Sequence, residues 1–387
     1  MCSACRRLGR GVFRVTLNEV RRVVLKIGSS SLNHQQGGLD DQAIAEIVSV
    51  IAALKQKNVE CIIVTSGAVA AGMGQLGLHS RPRDLAGKQA VSAVGQGVLI
   101  ERYAHNLQRH GIIGAQVLLS RIDLAQASHY RNAQNTLEKL LRLQVVPIIN
   151  ENDTVAVEEL CFGDNDTLSA LVAGLIGADL LVILTDVDGL YTGNPKKDLS
   201  AQLIKEVTEV SAVESMASGV GSLLGTGGMV TKLRAAKIAT RFGIGMLLLN
   251  FTRLRELINL PEGQGPEGTY FQPSKHRLAG RKRWIAYAGL SEGSIQVDDG
   301  AAKALIEEGK SLLAKGIVSA EGTWERKEIV RILNLLGEEI ARGVVELSQD
   351  EVQKVKGLHS VKLHQIIPDF DGEEVVHRDN MTLMVDA

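Results

Sequence analysis

The sequence predicts an α/β protein, in which a mostly parallel sheet sandwiched by helices is followed by a second, smaller mixed β domain. Short continuous apolar runs, typical of strands buried on both faces, alternate with segments of helical periodicity. Aromatic residues make up only 3% of the chain while glycine reaches 40 residues, which favours this class over an aromatic-rich β-sandwich. Near residues 260–284 the composition shifts to glycine, proline and charge, which indicates a linker between the two domains.

The first domain opens with alternating strands and helices. A β-branched strand is predicted at Val23–Ile27, ending in the small-residue turn of "KIGSSS". An amphipathic helix is predicted over Asp40–Gln56, because isoleucine and valine recur there at helical spacing. The stretch "VECIIVTSGAVAAG", from Val59 to Gly72, then repeats the order of strand, small-residue turn and helix.

Three further apolar runs continue this pattern: "GAQVLLS", "VVPIINEND" and "DLLVILTDVDG". Each run stops at polar residues. In an open parallel sheet, ligands bind beyond the carboxyl ends of the strands. We therefore expect the polar turns to lie along one edge of the sheet and to form its binding crevice.

The second domain is predicted from three short alternating strands, "SIQV", "GIVSAEG" and "EIVRILN", around one helix at Ala301–Glu308. This pattern is typical of a small mixed β domain. The expected division of the chain is a tail at 1–20, the α/β domain at 21–272, a linker at 273–280, the β domain at 281–365 and a C-terminal tail at 366–387.

Charge and cysteine content exclude several classes of protein. With 43 Lys+Arg against 44 Asp+Glu and a net charge of −1, no global field attracts nucleic acid or an anionic membrane. The cysteines Cys2, Cys5, Cys61 and Cys161 are too few and too scattered for a disulfide framework. Because no signal sequence or membrane-length apolar run is present, we expect a cytoplasmic protein.

Two lysines stand in unusual positions. Lys26 ends an apolar strand, where an unpaired charge is costly, so either a bound anion or a structural ion pair is expected. Lys232 falls in the first turn of a helix predicted to begin near Met229 after a glycine-rich loop. A cation there opposes the helix dipole, so it indicates either a bound phosphate or a solvated surface lysine.

The polar stretches "NEND" and "GDND" place carboxylates and amides after a buried strand. Such turns can hold an ammonium group, orient a lysine or bind Mg²⁺. Together with two lysines in glycine-rich settings, they supply what phosphoryl transfer requires, since that reaction depends on positive charge and in-line positioning more than on covalent chemistry by the protein.

The order of these motifs resembles the amino acid kinase family, in particular its branch that phosphorylates the side-chain carboxylate of glutamate in proline biosynthesis. The motifs are "VVLKIGSSSL", "VTSGAVAAG", "VGQ", "VVPIINEND", "GDNDTLSAL", "LTDVDGLYTGNP" and "GTGGMVTKLRAA". The C-terminal part resembles a PUA domain in "RKRWI", "GSIQVDDGA", "SLLAKGI" and "VVHRDNM". The basic tail at 1–20 departs from the family, which usually begins just before the first strand.

The resemblance implies roles for individual residues. Lys26 and Lys232 would neutralise the transferring phosphoryl group, and Asp166 would hold both lysines. Ser66, Asp153 and Asn165 would bind glutamate, with Asp153 pairing with its ammonium group. The implied ATP site comprises Lys26, Thr185, Asp186, Thr226, Gly227, Gly228, Met229, Val230, Thr231 and Lys232.

The implied reaction is ATP-dependent formation of L-glutamyl 5-phosphate from L-glutamate, with Mg²⁺ on the nucleotide phosphates, feedback inhibition by proline and a homodimer or homotetramer. Related acid kinases acting on N-acetylglutamate or aspartate are the first alternative. An RNA-binding PUA protein is the second, because "RKRW" at Arg281–Trp284 is basic and carries an aromatic.

Overall fold

The computed structural model describes residues 19–33, 38–155, 164–195, 198, 200–217, 228–274, 278, 280–289, 291 and 293–384. The chain divides into two compact units, Met1–Arg121 with Arg131–Arg277, and Ile122–Tyr130 with Leu278–Ala387. Among the described helices, none combines the length and apolar character needed to cross a membrane.

The first unit is built on an eight-stranded sheet in the order β3-β4-β2-β1-β5-β7-β8-β6. The first six strands in this order run parallel; β8 is antiparallel to β7, and β6 is parallel to β8. The predicted mostly parallel sheet is confirmed. The strands are β1 Arg22–Ile27, β2 Glu60–Val64, β3 Gly114–Leu119, β4 Val146–Glu151, β5 Leu180–Thr185, β6 Glu206–Val207, β7 Gly245–Asn250 and β8 Thr269–Phe271.

Helices connect these strands, as parallel neighbours require. The predicted amphipathic helix is present and is capped by Asp40, whose side chain accepts hydrogen bonds from two backbone N–H groups of its first turn. The helices are α1 Ser29–Leu32, α2 Asp41–Gln56, α3 Ala68–Leu76, α4 Leu85–Gln108, α5 Arg121–Ala125, α6 Ala127–Arg142, α7 Asn165–Ile176, α8 Ser211–Ala217 and α9 Met229–Arg241, with a 3₁₀ segment at Phe251–Glu262.

The side chains of strand β1 alternate between the two faces of the sheet. Successive strand residues point to opposite faces. Val23, Leu25 and Ile27 belong to a core cluster that also contains the buried face of α2. Lys26 therefore points to the other face of the sheet, on which α7 packs against β1. This alternation brings a lysine at the end of an apolar strand to the first turn of α7.

Helices α3 and α4 pack with almost no side chain between their backbones. A Cβ added at Gly95 would lie 1.7 Å from the carbonyl oxygen of Ala68, and one at Gly72 would lie 1.9 Å from that of Val91. Both glycines fall within motifs of the sequence, "VGQ" and "TSGAVAAG". Their role is close helix packing, which brings side chains of α4 near the ends of β2 and β4.

The second unit contains a six-stranded mixed sheet in the order β10-β14-β13-β12-β9-β11. Only the β9–β12 pair is parallel. Its strands are β9 Gly293–Val297, β10 Leu312–Leu313, β11 Ile317–Gly322, β12 Ile329–Leu333, β13 Glu339–Val345 and β14 Glu374–Leu383. Besides most of α5, its helices are α10 Arg281–Arg283, α11 Asp299–Ile306, α12 Gln349–Val355 and α13 Ser360–Ile366, with a π-helical turn at Trp284–Ala288 and a 3₁₀ turn at Ala314–Gly316.

The structure corrects the predicted C-terminal tail at 366–387, because Glu374–Leu383 forms β14 within this sheet. Val375, Val376 and Met381 of that strand are buried in the core of the second unit. The charged residues between them interrupt the apolar pattern, so the strand is hard to recognise from sequence. The predicted helix at Ala301–Glu308 is present but lies two residues earlier, at Asp299–Ile306.

Candidate active site

Three charged side chains meet at the carboxyl end of β1. Asp166, in the first turn of α7, is only 1% exposed. Its Oδ1 lies 2.5 Å from Lys26 Nζ, and its Oδ2 lies 3.3 Å from Lys232 Nζ. Thr231, beside Lys232 in α9, also donates a hydrogen bond to Oδ2 at 2.8 Å. One buried carboxylate therefore fixes two lysines that come from different elements.

The charge state of Asp166 follows from this arrangement. Burial alone would raise the pKa of Asp166, but the charges of Lys26 and Lys232 and the hydrogen bonds from Lys26 and Thr231 outweigh burial and hold that pKa below its ordinary value. Asp166 is therefore an anion at neutral pH, and the buried cluster of one carboxylate and two ammonium groups carries a net positive charge. Such a cluster is complementary to a phosphoryl group.

Helix N-termini add further hydrogen-bond donors at this edge. Gly67 precedes α3 and Gly228 precedes α9, and neither supplies a side-chain cap, whereas α2, α4 and α7 are each capped by an aspartate. Gly67 has φ +102°, a conformation that favours glycine. Uncapped N–H groups at the start of a helix are suited to an anion.

The predicted ATP-site residues are only partly described. Helix α9 begins with Met229, Val230 and Thr231, and Gly228 directly precedes it. Thr226 and Gly227 lie outside the described residues. Thr185 ends β5 beside β1, and its hydroxyl donates to Asp186 at 3.1 Å. Asp186 is exposed, so its carboxylate can reach a ligand beyond the sheet.

Asn165 precedes Asp166 and joins it to a second group of polar side chains. Its Nδ2 donates to the backbone carbonyl of Thr65 at 2.7 Å, to Ser66 Oγ at 2.8 Å and to Asn150 Oδ1 at 3.0 Å. A carbonyl oxygen can only accept, so the Thr65 contact fixes the orientation of the amide. Asn165 Oδ1 is buried without a hydrogen-bond partner among the described residues. An unpaired acceptor of this kind is suited to a group that carries N–H donors.

A network of side-chain amides holds Asn150 in place. Asn150 Nδ2 and Gln116 Nε2 both donate to Gln96 Oε1 at 3.3 Å, and Gln96 Nε2 donates to the carbonyl of Glu151 at 3.3 Å. No role for Gln96 or Gln116 was predicted from the sequence. "VGQ" is the only local signal for Gln96, and Gln116 lies in an apolar strand with no signal of its own.

Asp153 lies at the turn after β4, and its carboxylate contacts α4. Ser92, which is completely buried in that helix, donates to Asp153 Oδ2 at 2.8 Å. Burial raises the pKa of Asp153, while the Ser92 hydrogen bond and the charge of Arg81 act in the opposite direction. A cationic partner stabilises a half-buried carboxylate of this kind. Asp153 is not hydrogen-bonded to Asn165 or Ser66.

Within the described part of the chain, no three His, Cys, Asp or Glu side chains are grouped closely enough to hold a metal ion. The polar groups of the site are two lysines, amides, hydroxyls and carboxylates.

The chain matches the models of two known families. Residues 21–250 match the model of the amino acid kinase family, and residues 293–367 match that of the PUA domain. The chain therefore belongs to the amino acid kinase family.

Two relatives that align with almost the whole chain share one name. A glutamate 5-kinase of Desulfitobacterium hafniense (strain Y51) is 65% identical over 370 residues, covering 96% of this chain and 100% of the relative. A glutamate 5-kinase of Moorella thermoacetica is 46% identical over 376 residues, covering 96% and 98%. Among solved structures, a UMP kinase from Bacillus anthracis aligns at 15% identity and TM-score 0.47, over 66% of this chain and 96% of that chain.

Proposed function

We propose that the protein transfers the γ-phosphoryl group of ATP to the side-chain carboxylate of L-glutamate, forming L-glutamyl 5-phosphate in the first step of proline biosynthesis. The observation that carries the proposal is the pair of neighbours at the start of α7. Asp166 holds the two lysines suited to a phosphoryl group, and Asn165 offers an acceptor suited to an amino acid. Full-length relatives named glutamate 5-kinase support the same reaction.

The mechanism is an in-line displacement. A carboxylate oxygen of glutamate forms a bond to the γ-phosphorus as the bond from that phosphorus to the β,γ-bridging oxygen breaks, and ADP leaves. The attacking carboxylate has an ordinary pKa of about 4.3, so it is already ionised at neutral pH and no general base is required. Lys26 and Lys232 stabilise the charge on the transferring group, and Asp166 keeps both in place.

Amino acid recognition divides between two acceptors. Asp153, a half-buried carboxylate, is the counter-ion for the α-ammonium group. Asn165 Oδ1 accepts a hydrogen bond from the bound amino acid, while Ser66 is held beside it by Asn165 Nδ2. A free ammonium group would be absent in N-acetylglutamate, so this arrangement favours glutamate over its acetylated form.

The nucleotide is assigned to the neighbouring part of the edge. Thr185, Asp186 and the segment 226–232 bind ATP, and the uncapped start of α9 faces its phosphates. Mg²⁺ would arrive on the nucleotide and neutralise charge on its β- and γ-phosphates. Feedback inhibition by proline, assembly into a dimer or tetramer and a cytoplasmic location complete the proposal, on the basis of the sequence resemblance.

Purified protein with ATP and Mg²⁺ tests this function directly. Hydroxylamine traps an acyl phosphate as a hydroxamate, so L-glutamate, N-acetyl-L-glutamate and L-aspartate are compared under the same conditions. We expect hydroxamate with L-glutamate alone. Hydroxamate with N-acetylglutamate or aspartate instead would identify a related acid kinase, and none with any of the three would reject acyl phosphate formation.

A further inference from the structure

Ser92 is a buried serine of α4 whose hydroxyl contacts a side chain of the proposed amino acid site. It lies within α4 with no exposed surface, and its Oγ donates to Asp153 Oδ2 at 2.8 Å. A buried hydroxyl in a helix interior more often bonds to the carbonyl of its own preceding turn. Here the proton points out of the helix, to a carboxylate 61 residues further along the chain.

The position of α4 makes this contact rigid. The helix begins at an Asp84 cap, and its backbone touches α3 at Gly72 and Gly95. Ser92 and Gln96 stand four residues apart, on one face of the helix. Ser92 contacts Asp153 and Gln96 contacts the carbonyl of Glu151, so consecutive turns of α4 hold the last residue of β4 and the turn that follows it.

The hydroxyl also acts on the electrostatics of Asp153. A hydrogen bond donated to a carboxylate favours its ionised form and restricts rotation about its last bond. Among the described residues, Ser92 is the only side chain hydrogen-bonded to Asp153. The charge of Arg81 also acts on this carboxylate. Without Ser92, a half-buried carboxylate would lose both its fixed orientation and part of its stabilisation as an anion.

We propose that Ser92 is a positioning residue for substrate recognition, whose hydroxyl holds the Asp153 carboxylate against the α-ammonium group of the amino acid. Ser92 thereby contributes to the selection of a substrate with a free ammonium group, although it does not touch the substrate itself. This inference rests on the proposed function, because it requires Asp153 to face the ammonium group of glutamate.

The test compares two ligands that differ only at the group in question. Glutarate has both carboxylates of glutamate but no ammonium group. Ser92→Ala should raise KM for L-glutamate about tenfold, the size expected for loss of a hydrogen bond to a charged group, with kcat within about twofold. The inhibition constant of glutarate against glutamate should stay within about twofold. An unchanged KM, or an equal loss for both ligands, would overturn the inference.

A double-variant cycle shows whether Ser92 acts through Asp153. Asp153→Asn alone should raise KM for glutamate more than Ser92→Ala does, and Ser92→Ala in the Asp153→Asn background should add no further loss. Additive losses would place the effect of Ser92 elsewhere. Ser294→Ala, at a buried serine of β9 in the second unit, is the matched control and should leave KM unchanged.

Different results would reject the proposed function and the role of Ser92. If the wild-type protein forms no hydroxamate with glutamate, the proposed function is wrong. If the wild-type protein is active but Ser92→Ala changes neither KM nor the preference for glutamate over glutarate, the proposed function stands and only the role of Ser92 is rejected. Thermal melting of each variant confirms that it is folded.

Discussion

Asp166 is a buried carboxylate with two cationic partners, and this explains how two lysines can lie buried at the end of an apolar strand. Lys26 and Lys232 are each less than one tenth exposed. Isolated ions in such a place would be strongly destabilised, and removal of one member of a buried ion pair typically costs 3–5 kcal/mol. The cluster tolerates burial because one carboxylate serves two ammonium groups, and the remaining positive charge is available to a phosphoryl group.

We expect Lys26→Ala to lower kcat about 10²-fold or more, because it removes one electrostatic stabiliser of the transferring group. Lys232→Ala should behave in the same way. KM for glutamate should change much less, since neither lysine is assigned to amino acid binding. Steady-state kinetics with a coupled ADP assay measures both constants.

Lys303→Ala provides the control for these lysine variants. Lys303 is an exposed lysine of α11 in the second unit, with a loose ion pair to Glu307 at 3.9 Å, so its removal should leave kcat unchanged. A near-normal kcat in Lys26→Ala would remove that lysine from the mechanism, and the same holds for Lys232→Ala.

At the residue scale, what the sequence could predict depends on whether a side chain is unusual for its local setting. Lys26 was noticeable because it is a charged residue at the end of an apolar strand. The local sequence pattern was equally compatible with an ion pair and with a bound anion. The structure shows the ion pair with Asp166. Ser92 and Gln96 were missed for the opposite reason, because α4 has a weak apolar stripe and polar residues on several sides, so its sequence does not reveal which polar side chains face inward.

The contact between α3 and α4 is the element-level feature on which the amino acid site depends. Helix α3 begins directly after Ser66 and Gly67, and α4 carries Ser92 and Gln96. The two helices approach until backbone atoms meet, so nothing at the contact can yield by a rotation of side chains. A change in helix separation must therefore move polar groups on both sides of the site.

We expect Gly95→Ala to destabilise the protein by about 1–3 kcal/mol, the usual cost of overpacking, because its Cβ would lie 1.7 Å from the Ala68 carbonyl oxygen. KM for glutamate should also rise. Gly97→Ala, two residues further along the same helix, places a Cβ in open space and should be neutral or stabilising by up to about 1 kcal/mol, since alanine favours helix. Chemical denaturation of both variants makes the comparison. Equal stabilities would contradict the close packing.

Elements were predictable where one physical signal dominated. The parallel strands β1, β2, β4 and β5 are apolar runs that end at polar turns, and all of them were identified. Strand β14 was not, because its apolar residues flank a charged segment and its place in the sheet depends on pairing with β13, far away in sequence. The short antiparallel and edge strands β6 and β8 likewise have too few residues to show a period.

The charge of the whole molecule bears on the remaining alternative, that the second unit binds RNA. A cavity of about 730 Å³ in that unit is lined by basic and acidic side chains together. The charged members are Lys310, Lys315, Arg378, Asp298, Glu373 and Glu374, with His377 beside them. Three cations minus three anions leave no net formal charge with His377 neutral, and the chain as a whole carries −1.

Such a balance predicts weak binding to RNA. Affinity for a nucleic acid strand rests largely on phosphates neutralised by lysine and arginine, and for single strands log K falls with log salt at a slope of about −0.7 per contact. Three cations faced by three anions can supply few net contacts. In filter binding with a single-stranded RNA at 50 and 200 mM salt, we expect no retention at micromolar protein at either concentration. Retention at 50 mM that falls at 200 mM, and that is lost in a Lys310→Glu, Lys315→Glu double variant, would instead assign RNA binding to this cavity. Retention unchanged by that variant would place the binding surface elsewhere on the molecule and would still contradict the argument from net charge.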